Sequence, residues 1–164
     1  MALFGLGCTP GQKLKTVKEL DIKKYAGKWY EIAKLPNRFE QGLTCVTAEY
    51  VPMQNGSIKV INSGLKTDGS NKRKRIEGSA KVPDKNKPGE LKVTFFWPFY
   101  GDYFVFELGK EYQYALVGSP SRKYFWILGR EKVMDEIQYQ KLLSIARDNG
   151  FDTSAVEKMD QSCP

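Results

Sequence analysis

The stretch "LKVTFFWPFYGDYFVFEL", residues Leu91 to Leu108, sets eight aromatic side chains (Phe95, Phe96, Trp97, Phe99, Tyr100, Tyr103, Phe104 and Phe106) in twelve consecutive positions. Successive side chains of a strand point to opposite faces. Lys92 and Thr94 on the water side therefore place Leu91, Val93, Phe95 and Trp97 inward. Beyond the turn-forming "PFYGD", Glu107 on the water side places Phe104, Phe106 and Leu108 inward, with Phe96 and Tyr103 outward. The stretch reads as two adjoining strands, 90–97 and 103–109, that share an aromatic buried face.

Outward from this pair, extended runs alternate with turn signals: "QNGS", "TDGSN", "PDKNKPG" and "PSRK". The runs are 28–36, 43–53, 57–66, 72–82, 90–97, 103–109, 111–119 and 123–130. Alternation turns Val46, Ala48, Tyr50, Ile58, Val60, Asn62, Ile76, Gly78, Ala80, Tyr124, Trp126 and Leu128 inward, and Cys45 outward. After the last strand the period changes to 3.6, with Met134, Ile137, Leu142, Ile145 and Ala146 on one side of a helix. Asp135 caps its start and Gly150 ends it. The expected fold is all-β: an eight-stranded antiparallel up-and-down barrel with one C-terminal α-helix packed outside. Closure removes exposed edges, and a barrel of this size holds either packed side chains or one small ligand. The aromatic wall fits both readings.

Composition narrows the chemistry. With 164 residues and 41% hydrophobic content, the chain is one domain able to bury a core, and no 18-residue apolar run marks a membrane helix. The net charge of +7 is dispersed, and its one dense cluster, Lys72 to Arg75, reads as a solvated strand start, so no nucleic-acid partner is expected. Histidine is absent, which removes Ser-His-Asp and Cys-His nucleophile systems and imidazole ligands. Cys8, Cys45 and Cys163 lack zinc-type spacing, and neither metal nor cofactor is expected. The apolar "MALFGLGC" followed by "TPGQ" resembles the end of an export signal and a bacterial lipoprotein processing site at Cys8, although Gly5 stands where leucine is usual; the alternative is a disordered apolar end. This divides the chain into a signal remnant and flexible tether, 1–16, and a barrel domain, 17–164.

"YAGKWYEIAKLPNRFEQGLTCVTAEY", Tyr25 to Tyr50, closely resembles the lipocalins, in particular the bacterial branch related to apolipoprotein D. Gly27-Lys28-Trp29 is similar to the family's first signature, "EYQYALVGSP" to its second, and Arg130 in "WILGR" to its third. The resemblance implies a barrel closed at the Trp29 end, where Arg130 packs over the indole, and open at the other. It also implies a disulfide between Cys45 and Cys163, an oxidising compartment, and a spare Cys8 for lipidation.

The expected function is carriage of a fatty acid or lysophospholipid in the barrel, at the cell envelope, by an outer-membrane lipoprotein that faces the periplasm and meets the membrane through Cys8. The expected ligand residues are Tyr50, Val60, Asn62, Ile76, Phe95, Trp97, Phe104, Phe106, Tyr124 and Trp126. Burial of ten methylenes offers about 8 kcal/mol, enough for micromolar binding without a polar anchor. Glu31 and Asn62 are inward polar groups, and Tyr50 and Tyr124 could donate to a head group. The alternatives are a lipid-modifying enzyme, which would need Glu31 or a tyrosine as base, and a structural envelope protein with a filled barrel.

Overall fold

The computed structural model describes residues 11–164 apart from Trp97, so the expectations placed on Cys8 and Trp97 lie outside the described residues. After a single helical turn, α1 (Ile22–Tyr25), come β1 (Gly27–Lys34), β2 (Leu43–Pro52), β3 (Ile58–Lys66), β4 (Arg73–Lys81), β5 (Glu90–Phe96), β6 (Phe99–Leu108), β7 (Tyr114–Gly118) and β8 (Phe125–Gly129). Each strand pairs antiparallel with the next, and β1 pairs with both β2 and β8, which closes the barrel. Asn55-Gly56 turns β2 into β3, with Gly56 at φ +84°, a conformation that favours glycine.

The β5–β6 hairpin is tighter than expected. Phe96 pairs with Phe99, and the strand begins at Phe99 rather than 103. The "GD" expected to turn lies within β6, where Asp102 sits opposite Lys92 and pairs with it. A cross-strand charge pair is a reason for these residues to be extended.

Side-chain parity on β6 also departs from expectation. Phe106 belongs to the cluster beneath the C-terminal helix, with Phe104 packed against that cluster, while Val105 and, at its margin, Tyr103 belong to the barrel interior. Leu108 nevertheless packs against the interior cluster, as expected. The register of β6 on β7 shifts between Val105 and Glu107. An extra residue there turns two neighbours to one face, so parity counted back from Glu107 inverts at Phe106. The inward placement of Phe104 and Phe106 is thereby corrected.

Helix α2 (Glu136–Asp148) starts at Asp135, whose carboxylate accepts from Gln138 N at 3.1 Å. Its buried stripe is Tyr139, Leu142, Leu143 and Ala146. Ile137, expected on that stripe, is 81% exposed, because the apolar face is centred one residue further round the helix. The helix lies on the outward side chains Ile32, Phe106, Leu116, Phe125 and Ile127. Phe151 stacks on Phe106, with ring centres 5.1 Å apart. Upstream of the expected boundary at residue 17, Leu14 is fully buried in the same cluster, and Arg122 donates to Gln12 O at 2.6 Å.

One end of the barrel is plugged. Trp29 is fully buried and donates from Nε1 to Tyr25 O at 2.8 Å. The Arg130 guanidinium lies 3.8 Å from the indole centre and donates to Lys28 O (2.8 Å), Lys24 O (2.8 Å), Tyr25 O (3.2 Å) and Tyr112 O (3.2 Å).

At the other end, the β1–β2 pairing stops at Tyr30 and Thr47, and the C-terminal tail fills the seam. Two residues of it, β9 (Glu157–Lys158), pair with Ala33 and Lys34. Gln161 Nε2 then donates to Glu31 O and Val46 O, both at 2.8 Å, and so bridges the parted strands. The Cys45–Cys163 disulfide fastens the end, across Cα atoms 6.2 Å apart. Cys45 itself is at φ +50°, inside an irregularity of β2.

Candidate ligand site inside the barrel

The interior divides into two levels. Near the plugged end, Trp29, Tyr50, Val60, Ala80, Leu91, Val105 and Leu128 are buried against one another. Three phenols join them: Tyr103 OH lies 2.7 Å from both Tyr25 OH and Tyr50 OH. Burial pushes all three hydroxyls well above their ordinary pKa, so they are neutral at any physiological pH.

Nearer the open end, the inward positions Asn62, Ile76, Phe95, Tyr124 and Trp126 are half-buried, as is Ala48 opposite Trp29. Ala48 pairs with Asn62, and Asn62 with Ile76, so the three form one row across β2, β3 and β4. A Cβ on Gly78 would come within 2.6 Å of the Phe95 ring, so the glycine is what admits that ring to the wall. Tyr124 and Trp126 stack with centres 6.0 Å apart, and Phe39 lies 5.8 Å from Tyr124.

The loop between β1 and β2 reaches into this level through Glu40. Its carboxylate accepts from Asn37 Nδ2 at 2.8 Å and from Trp126 Nε1 at 3.3 Å to either oxygen, and pairs with Lys34 Nζ at 3.5 Å. Glu31 is 3% exposed, and its buried Oε1 has no hydrogen-bond partner. Burial first, then the Glu40 charge, holds the Glu31 carboxyl well above the usual carboxylate range.

Of the expected ligand residues, Tyr50 and Val60 therefore lie in the packed level, and Asn62, Ile76, Phe95, Tyr124 and Trp126 lie in the half-open level. Phe104 and Phe106 are outside, under the helix. Sequence reasoning missed Glu40 and Lys34. A cleft of about 630 Å³ runs along the rim beside Lys34, Glu40, Thr44, Lys158 and Asp160, and none of the expected ligand residues among the described ones lines it. A second, of about 450 Å³, lies outside the barrel and is lined in part by Phe104.

The family description Lipocalin-like domain matches residues 20–161. The chain is a lipocalin. This lipocalin is 39% identical over 151 residues to the outer membrane lipoprotein Blc of Vibrio cholerae, covering 92% of this chain and 88% of that one. It is 42% identical to Blc of Escherichia coli K12 (89% and 82% covered) and 36% identical to apolipoprotein D of Rattus norvegicus (98% and 87%). Insecticyanin from the tobacco hornworm Manduca sexta superposes with a TM-score of 0.71 at 26% identity, over 94% of this chain and 86% of that one. Gly27 is at φ +90° beside the Arg130 guanidinium, Trp29 is the plug, and Arg130 is its clamp.

Proposed function

We propose that this lipocalin carries a single-chain lipid, a fatty acid or lysophospholipid, in the half-open level of the barrel and acts at the cell envelope as a carrier rather than an enzyme. The observation that carries the reading is the contrast between the two levels. A filled barrel would bury its inward residues throughout, whereas here Asn62, Ile76, Phe95 and Trp126 retain surface above a packed floor. Apolar surface left inside a barrel is favourable surface for an alkyl chain, at about 0.8 kcal/mol per methylene buried. Relatives named outer membrane lipoprotein support an envelope location, with membrane attachment through an acylated Cys8.

Native mass spectrometry of the purified protein before and after delipidation tests the reading. A co-purified lipid of one chain, and its return on adding oleate or lysophosphatidylethanolamine, is the expected result. Protein that binds neither lipid after delipidation would overturn it. Turnover of either lipid, abolished by Glu31→Gln, would replace carrier with enzyme.

A further inference from the structure

Glu31 carries an orphan. Its Oε1 is buried and has no hydrogen-bond partner, and the Glu40 charge is among the causes that hold its carboxyl neutral. Glu40 already has three donors, from Asn37, Trp126 and Lys34. A carboxyl buried without a donor beside a second carboxyl does not ionise along with it, so the pair holds one proton. It belongs to Glu31, because Glu40 holds the ammonium and the N–H donors. Among the described residues Lys34 is the cation paired with Glu40, and Tyr50, which faces Glu31, is neutral. The cluster thus has two acids, one base, and a carbonyl-type oxygen that accepts nothing, which is costly where water is excluded.

We propose that this cluster is a recognition site for a lipophilic primary amine, whose ammonium takes the place of the Glu31 proton and donates to Oε1. Before binding, Lys34 balances Glu40 and Glu31 is neutral. After binding, both carboxylates are ionised against two ammonium groups, and one proton has left for solvent. Charge is conserved in the site, and the orphan oxygen gains a donor. The stacked Tyr124 and Trp126 rings beside Glu40 add faces that favour a cation. The inference rests on the barrel being a carrier, and it names the head-group chemistry that the site discriminates.

Titration calorimetry with dodecylamine, dodecanol and dodecanoate, in phosphate and in Tris buffer, tests both levels of the argument. Dodecylamine should bind the wild-type protein about tenfold more tightly than dodecanol. Its enthalpy should differ between the buffers by the amount that release of about one proton requires. Amine affinity should rise as pH rises through the raised Glu31 value, because the competing proton becomes scarcer while the amine stays charged. Glu31→Gln keeps the shape and should lose both the preference and the proton release while still binding dodecanol. Equal affinity for amine and alcohol, or amine binding without proton release in the wild-type protein, would overturn the inference and leave the carrier standing. Failure of all three chains to bind would remove the carrier as well.

Discussion

Replacing Arg130 with alanine should unfasten the plugged end. Of its four backbone acceptors, Lys28 O and Lys24 O are near solvent and can take water instead, whereas Tyr25 O and Tyr112 O are part-buried. Stranding the latter two costs about 1 kcal/mol each at the lower end of the range for a buried unpaired acceptor, moderated at Tyr25 O by the Trp29 Nε1 donor. Loss of a guanidinium 3.8 Å from a fully buried indole adds about 1 to 2 kcal/mol. The sum is about 3 kcal/mol, a large fraction of the stability of a single domain. Arg130→Lys restores the charge over the ring but not the planar fork that reaches several carbonyls, and should recover about half of the loss. Urea unfolding followed by circular dichroism reads the difference as a shifted midpoint at unchanged slope. Because the clamp is remote from the half-open level, lipid titration should change little. A loss below about 1 kcal/mol would refute the reasoning. The plug would then be held by packing of Trp29 and Tyr25 alone.

The Cys45–Cys163 bond spans 118 residues, so Cys163→Ser should lower stability by roughly 4 to 5 kcal/mol on the chain-entropy account; melting with and without reductant checks this, and indifference to reductant would refute it. Phe106→Ala should cost about 3 to 5 kcal/mol by emptying the stack on Phe125 and Phe151, yet leave lipid affinity alone. Phe95→Ala should weaken lipid affinity by about 1 kcal/mol or more with a smaller stability loss, and paired lipid and denaturant titrations that show the reverse order would return the aromatic wall to the interior. Glu31 is held neutral by the fold, so the native state binds the extra proton. Stability should therefore fall as pH rises from the unfolded value of about 4.3 through the raised folded value, and Glu31→Gln should flatten that decline in pH-dependent denaturation curves.

How far the residues announced this structure depended on whether the signal was local. The hairpins were legible because Asn55-Gly56 and the alternation of β3 and β4 act within a few residues. The helix cap at Asp135 was legible for the same reason. The inversion at Phe106 was not, since a bulge between Val105 and Glu107 is set by the register that β7 imposes and has no marker in β6 itself. Glu31 was found as an inward polar group by parity alone. Glu40 was missed because its position comes from a loop folded back over Trp126, 86 residues away in sequence. Tyr103 was put on the outside by the same parity that misplaced Phe106, although its hydroxyl joins Tyr25 to Tyr50.

The tail in the seam sets an order of events. On one side the partner of β1 is β8, and on the other, above Tyr30, the strand meets residues 157–161. Until that segment docks, the upper edge of β1 is an unpaired strand edge, the kind of surface that recruits other chains. The pairing of β1 with β2 and β8 can close the lower barrel first, whereas the upper seam waits for a segment that follows the helix. A molecule with all eight strands in register and that segment undocked would have a complete wall with one open seam.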